Sequence, residues 1–157
     1  MGMTGAFEVL LTMHENQWIT TGEAARFGTS TLRCVKPNLC IVTYAGVLDV
    51  DVIEKMNEAL LDVARRMAEV YLIVDLSRVR TVTQLGRRQG AGGMLALNPL
   101  ATAVIGASFH MRVVVEMITK AAKLLNRGLE GPVAFFADEK GARAWICGLT
   151  NNRGFQA

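Results

Sequence analysis

The feature that most constrains the fold is the segment from Tyr71 to Gly86, which begins with an almost continuous apolar run. Only Asp75 interrupts the run from Tyr71 to Leu76, and a strand that is covered on both faces has this composition. The polar residues that follow predict a loop, and the residues from Gln84 to Leu97 predict a helix. Because partners and ligands bind at the carboxyl ends of strands in open α/β sheets, this segment predicts both the fold and the functional surface.

A hairpin and an amphipathic helix precede the buried strand. Thr31–Val35 and Leu39–Tyr44 have the composition of two hairpin strands around a Pro-Asn turn. Between Val50 and Met67 apolar residues recur every three or four positions, as on one face of a helix, and Asp49 or Asp51 offers an N-terminal cap. The order strand, helix, strand predicts a βαβ unit with parallel strands and a right-handed crossover.

Further strand and helix signals follow the predicted loop and helix. Ala101–Ala107 and Pro132–Phe136 read as short buried strands, and Met111–Arg127 reads as an amphipathic helix that ends at Gly128. Asp138 predicts the cap of a short helix that ends at Cys147.

Together these elements predict an α/β fold with a mixed sheet of about four to six strands. Helices pack against the sheet, which contains βαβ units and an N-terminal hairpin. We expect a single domain over residues 31–149, an N-terminal arm over residues 1–30 and a flexible tail over residues 150–157.

Composition narrows the classes of function. A net charge of +3 with 6% aromatic residues is too mild and too dispersed for a nucleic-acid-binding domain. The cysteines Cys34, Cys40 and Cys147 are odd in number and lack a C-x-x-C pair, which indicates buried free thiols in a reducing compartment, not a disulfide scaffold or a zinc site. The chain shows neither a signal peptide nor a membrane-spanning apolar run, so we expect a cytoplasmic protein.

The order of the elements, with V-D-L-S-R-V at the end of the central strand, resembles the STAS family. This domain is shared by sulfate transporters and anti-sigma-factor antagonists. Gly46, the A-V-I-G strand and the closing F-F-A-D-E-K-G-A-R-A-W-I also resemble the family. That ending is similar to the bacterial STAS-like branch that is grouped by shape with CRAL-TRIO lipid-transfer proteins. The resemblance covers residues 31–149.

The resemblance implies a non-enzymatic regulatory module for signalling that binds a protein partner. In the antagonist branch, the strand is followed by an Asp-Ser-Ser/Thr-Gly motif whose first serine is phosphorylated by a kinase that also acts as the anti-sigma factor. Asp75-Leu76-Ser77 matches the preceding D-L-S, and Gly86 matches the motif glycine. Thr83, Gln84 and Leu85 then stand at the aspartate, the phosphoacceptor serine and the second hydroxyl residue.

Glutamine accepts no phosphate, so this chain lacks the usual phosphoacceptor at Gln84. Ser77, Thr81 and Thr83 are either substitute acceptors or caps of the loop and of the helix start. The predicted partner-binding loop comprises Asp75, Ser77, Arg78, Arg80, Thr81, Thr83, Gln84, Gly86, Arg87 and Arg88. Its four arginines form either a positive rim that suits an acidic partner or ordinary surface charge.

A second hypothesis is a carrier of a lipid or another small apolar ligand. Its pocket would lie between helices and sheet and use Met94, Leu95, Leu97, Met111 and Met117. The chain has eight methionines, and this flexible side chain suits an adaptable site. The same residues also suit ordinary core filling.

An enzyme is the least supported hypothesis. The only histidines are His14 and His110, and no nucleophile elbow, zinc-binding helix or paired-carboxylate motif is present. Ser108 lies near His110 in the sequence, but no orienting acid can be assigned to the pair. We therefore predict no catalytic residues, no metal and no cofactor.

Self-association is a further expectation. The apolar residues of the N-terminal arm, Phe7, Leu10, Leu11 and Trp18, would cover a sheet edge or pair with a second copy in a homodimer.

Overall fold

A six-stranded mixed sheet with helices on both faces organises the chain. The computed structural model describes residues 24–35, 38–66, 69–125 and 131–154. The strands are β1 (Ala24–Phe27), β2 (Ser30–Val35), β3 (Leu39–Leu48), β4 (Tyr71–Val82), β5 (Ala101–Ile105) and β6 (Val133–Phe136). The helices are α1 (Val50–Arg66), α2 (Gln84–Leu97), α3 (Phe109–Leu125) and α4 (Glu139–Gly154).

The strands lie in sequence order, with β1 to β3 antiparallel and β3 to β6 parallel. The predicted α/β fold with an N-terminal hairpin and βαβ units is therefore confirmed. Successive right-handed crossovers in one direction place their helices on the same face of a sheet. This rule puts α1, α2 and α3 side by side, and α1 contacts α2 while α2 contacts α3.

Both faces of the sheet are buried, which explains the continuous apolar run at the start of β4. Leu72 packs in a core with Met56, Leu60 and Val63 of α1, whereas Ile73 packs in a second core with Ile146 of α4. Successive residues of a strand point to opposite faces. Because each face has a helix layer, apolar residues are required at consecutive positions.

Strand β1 lies in the segment that the sequence assigns to an arm. Its residues A-A-R-F include two alanines, which are poor strand formers, so composition gave no signal. A two-residue loop joins β1 to β2, and Gly28 in this loop has a φ of +63°, as hairpin turns require. Residues 24–30 therefore extend the sheet, while residues 1–23, with the predicted self-association residues, lie outside the described part of the chain.

The predicted loop after Leu76 is wrong, because residues 77–82 continue strand β4. Strand β3 also runs past its predicted end at Tyr44, and Leu48 pairs with Val82. Two register shifts place extra residues in β4, first opposite Tyr44 and then at Arg80. Such bulges break the alternation of polar and apolar residues, so the segment has the sequence of a loop although it is part of the sheet.

All four helices begin with a capping side chain. The pairs of backbone N–H and accepting oxygen are Val52 to Asp49 Oδ1 (3.1 Å), Gly86 to Thr83 Oγ1 (3.0 Å), Met111 to Ser108 Oγ (3.2 Å) and Gly141 to Asp138 Oδ1 (2.8 Å). The predicted caps at Asp49 and Asp138 are confirmed. The cap at Ser108 starts α3 at Phe109, two residues before its predicted start at Met111.

Helix α4 is longer than its sequence suggests. The predicted helix ends at Cys147, but α4 continues to Gly154, so residues 150–154 of the predicted tail are helical. Residues 155–157, like Met67, Arg127 and Gly128, lie outside the described residues. Among the helices that the structure describes, none is long and apolar enough to cross a membrane.

Candidate partner-binding site

The predicted site residues lie in one continuous segment at the carboxyl end of β4. This β4–α2 segment, residues 75–88, comprises Asp75, the following part of β4, which pairs only with β3, the cap Thr83 and the first turn of α2. Strand β5 ends its pairing with β4 at Asp75. The rest of β4 therefore extends beyond the central sheet with β3 as its neighbour.

Backbone hydrogen bonds fix the junction between β4 and α2. The N–H of Thr83 donates to the carbonyl oxygen of Leu48 (3.0 Å), and the N–H of Arg87 donates to the carbonyl oxygen of Thr83 (3.0 Å). Gly86 is buried, and a Cβ at this position would lie 2.8 Å from the Leu48 oxygen and 3.1 Å from Ile53 Cδ1. Glycine is therefore required at position 86 by the close approach of α2 to the end of β3.

Most of the β4–α2 segment is accessible. The exposed residues are Ser77, Arg78, Arg80, Thr81, Gln84, Leu85, Arg87 and Arg88. The segment contains four arginines and one acidic residue, Asp75, which gives it a local excess of positive charge. The neighbouring helix α1 carries acidic residues at its start, Asp49 as its cap and Asp51 in its first turn.

The three hydroxyls of the segment differ in what they bind. Ser77 Oγ donates to Asp75 Oδ1 (2.7 Å), and the Ser77 N–H donates to the same oxygen (2.9 Å). Thr83 Oγ1 caps α2. The hydroxyl of Thr81 is exposed and makes no hydrogen bond within the described residues. The hydroxyls of Ser77 and Thr83 are therefore already engaged in local hydrogen bonds.

Gln84 is the first residue of α2 and is exposed. A side chain at this position stands at the positive end of the helix dipole, where a negative charge is favourable to the helix itself. The position at which the resemblance places the phosphoacceptor is thus accessible, and it can carry a charge without damage to the fold.

Ser108 and His110 both lie at the start of α3. The Ser108 hydroxyl accepts the cap hydrogen bond of α3, and His110 is exposed on the first turn of that helix. Within the described residues no group of three or more His, Cys, Asp or Glu side chains could hold a metal ion. His14 lies outside the described residues.

Cys34 and Cys40 face each other across the hairpin of β2 and β3. They are register partners, both side chains are buried, and their Sγ atoms are 3.1 Å apart. The hydrogen bond with Cys34, together with burial, raises the pKa of the Cys40 thiol. The prediction of three buried thiols is wrong for Cys147, which lies on the outer face of α4 and is exposed.

An apolar cavity of about 120 Å³ lies between the sheet and helices α1, α2 and α3. Leu97 and Met111 line it, as the carrier hypothesis predicts. Met117 does not, because its side chain is 63% exposed on the outer face of α3. Met94 and Leu95 lie outside the residues whose side chains the structure describes. Sequence reasoning missed Gly86 as a wall of this cavity, since its spacing gave no sign of what it packs against.

Comparison with solved structures identifies the fold. The anti-sigma factor antagonist SpoIIAA in its unphosphorylated form superposes with a TM-score of 0.59 at 20% sequence identity, over 76% of this chain and 99% of that chain. An uncharacterised protein of the DUF3478 family from Shewanella loihica, which has a SpoIIAA-like fold, gives 0.52 at 16% identity, over 80% and 91%. No protein-family model and no curated protein matches this chain. The chain therefore has the STAS-like fold that its sequence predicts, the fold of SpoIIAA.

Proposed function

We propose that this protein is a non-enzymatic regulatory module that binds a protein partner through the β4–α2 segment. The observation that carries the proposal is the exposed Gln84 at the first turn of α2, on a fold shared with an anti-sigma factor antagonist. In the branch that the sequence resembles, this is the position of the regulated serine. A kinase or another protein of the anti-sigma type is the partner class that the resemblance implies.

The charge of the segment favours an acidic partner surface. Arg78, Arg80, Arg87 and Arg88 are all exposed, and exposed charges of one sign mainly raise the association rate and exclude partners of the same sign. The carboxylates of Asp49 and Asp51 lie on the α1 side, so the partner would approach from the side of β4 and α2. Binding should therefore weaken as the salt concentration rises.

Gln84 would hold the segment in a permanently uncharged state. A phosphate adds nearly two negative charges, whereas the amide of Gln84 is polar and uncharged, as the unmodified serine is. Of the three predicted substitute acceptors, Thr81 is the most accessible to a kinase, because Ser77 and Thr83 are already hydrogen-bonded.

The test is affinity capture from the source organism with the wild type and Gln84→Glu, followed by quantitative mass spectrometry. We expect Gln84→Glu to lower the affinity for the captured partner by about tenfold, or about 1.4 kcal/mol. The helix should not be harmed, because an acidic residue in the first turn is favourable by about 0.3–1 kcal/mol.

The matched control is Lys140→Gln, which changes the charge by −1, as Gln84→Glu does. Lys140 is also exposed in the first turn of a helix, but in α4, on the opposite face of the sheet. This variant should retain the partner. Equal recovery of the same proteins by wild type and Gln84→Glu would overturn the proposed role of the segment.

The cavity makes a lipid carrier the second candidate, although a weaker one. Its volume of about 120 Å³ is below the roughly 300–1,000 Å³ of sites for drug-sized ligands. Mass spectrometry of an organic extract of the purified protein tests this function. Lipid present in stoichiometric amount would favour the carrier and count against a role in protein binding alone.

A further inference from the structure

The cavity beneath α2 has a specific chemical character. Strands β3 to β6 form its floor, and helices α1, α2 and α3 form its walls and roof. Val42, Val74, Val104, Leu60, Val114 and Ile118 are among its apolar lining residues. The polar lining residues among those described are Tyr44, Asn57 and Thr102, and none is charged. The site therefore suits an uncharged molecule with little hydrogen-bonding capacity.

The volume limits the size of the ligand. A dry cavity of about 150 Å³ with a lining of Leu, Ile and Phe binds benzene or xenon, and this cavity of about 120 Å³ is close to that size. A single ring or a short branched hydrocarbon is therefore the expected ligand class. A buried carboxylate would lose its hydration without gaining an ionic partner from this lining, which excludes acidic ligands of the same shape.

The cavity shares residues with the start of α2. Gly86 lines the cavity and belongs to the β4–α2 segment, as does Val82. Asn57 lines the cavity as well, and its Nδ2 donates to the backbone oxygen of Gln89, which joins α1 to α2 (3.1 Å). A change in the packing of the cavity therefore alters contacts that α2 itself makes.

Among the helices that line the cavity, α2 should gain the most stability when a ligand binds. Four of its fourteen residues are glycine, and each glycine in a helix interior costs up to about 1 kcal/mol relative to alanine. Its order therefore depends on tertiary contacts more than that of α1. A ligand that fills the space beneath α2 supplies such contacts.

We propose that this cavity is a binding site for a compact, uncharged apolar ligand and that its occupancy stabilises the first turns of α2. The binding itself stands on the cavity alone. The regulatory consequence rests on the proposed function of the β4–α2 segment, where ligand occupancy would take the place of phosphorylation.

The experiment is a titration of the full-length ¹⁵N-labelled protein with benzene and, separately, with benzoate, followed by NMR. We expect saturable shifts for benzene at Val42, Val104 and Gly86, and binding of benzoate weaker by at least about tenfold. Absence of saturable shifts up to the solubility of benzene, or equal binding of benzoate, would overturn the proposal. This comparison uses only the wild type and does not depend on the folding of any variant.

Two cavity-filling variants, Val104→Leu and Val74→Leu, locate the site. Each should weaken benzene binding by about tenfold or more, because the added methylene occupies the space of the ligand. Val35→Leu is the matched control, since Val35 packs against the core on the α4 face of the sheet. Unchanged affinity in both filling variants would place benzene elsewhere and would overturn the proposal.

Hydrogen exchange in the same samples tests the regulatory part. Benzene should slow amide exchange in residues 84–97 of the wild type but not of Val104→Leu. Saturable binding without this protection would overturn the coupling to α2 while leaving the binding site intact. Neither outcome changes the expected effect of Gln84→Glu on partner capture. A failure of the cavity proposal can therefore be distinguished from a failure of the proposed function.

Discussion

At the scale of single residues, backbone contacts that the sequence does not display decide what a side chain can do. The resemblance matches Gly86 to a motif glycine, but the structure requires glycine here because a Cβ would approach the Leu48 carbonyl oxygen to 2.8 Å. Gly148 is also helical, and a Cβ there would have nothing within 4 Å. The same amino acid is therefore essential at one position and replaceable at the other.

This contrast predicts that replacing glycine with alanine changes the free energy of unfolding in opposite directions at the two positions. We expect Gly86→Ala to lower the free energy of unfolding by about 1–3 kcal/mol, because α2 must move away from β3. Gly148→Ala should raise it by about 0.5–1 kcal/mol, since alanine loses less conformational freedom in a helix. Urea denaturation of both variants measures the two effects. Equal changes would contradict the close approach at Gly86.

The three thiols should differ in reactivity. Iodoacetamide reacts with the thiolate, so the raised pKa of Cys40 and the burial of Cys34 and Cys40 slow their labelling. Cys147 is exposed and should be labelled in the native protein. Mass spectrometry of native and urea-unfolded samples checks this, with Cys147→Ser as the control. Rapid labelling of native Cys147→Ser would contradict the observed burial of the hairpin pair.

At the scale of secondary structure, the strength of the repeating pattern decides which elements the sequence reveals. Helices α1 and α3 have clear apolar faces, and both were predicted almost to their ends. Strand β1 was missed because its alanines carry no strand signal, and the end of β4 was taken for a loop because bulges interrupt its alternation. Both depend on pairing with β2 or β3, which lies outside their own sequence.

Helices α1 and α2 should also differ in local stability. Helix α2 carries four glycines, whereas α1 has none and buries Met56, Leu60 and Val63 in one core. We expect the amide hydrogens of α2 to exchange faster than those of α1 by about tenfold or more. Hydrogen exchange read by NMR measures the rates residue by residue. Similar protection of the amide hydrogens in the two helices would contradict the lower local stability of α2.

At the scale of the whole molecule, burial of Tyr44 links stability to pH. Tyr44 is half-buried and packs against the cores on the α1 face, and desolvation of its hydroxyl raises the pKa of this group. In the unfolded chain a tyrosine ionises near pH 10. Above this pH the unfolded state loses the proton while the folded state keeps it, so the free energy of unfolding falls as the pH rises.

Tyr44→Phe isolates this effect, because phenylalanine has no ionisable group. Between about pH 9 and about pH 11, the wild type should lose more stability than Tyr44→Phe in urea denaturation. Other groups titrate equally in the two proteins and cancel in the difference. Parallel pH profiles would contradict the burial of the Tyr44 hydroxyl.

Self-association remains a prediction at this scale, and the structure changes how it should be tested. A truncation of residues 1–30 would remove β1, so the shortened chain should begin at Ala24. Sedimentation velocity of the full chain and of residues 24–157 measures the contribution of the N-terminal residues. Two monomeric species would contradict a homodimer held by this segment.

The sequence alone determined the α/β class, the order of the main helices and strands, and the STAS-like fold. These follow from local periodicity and from short motifs such as V-D-L-S-R-V, which are written in neighbouring residues. Only the tertiary structure decided that residues 77–82 form a strand, that Gly86 abuts β3 and that a cavity lies beneath α2. The physical reason is that pairing, close packing and empty space arise between residues far apart in the chain, and no local pattern records them.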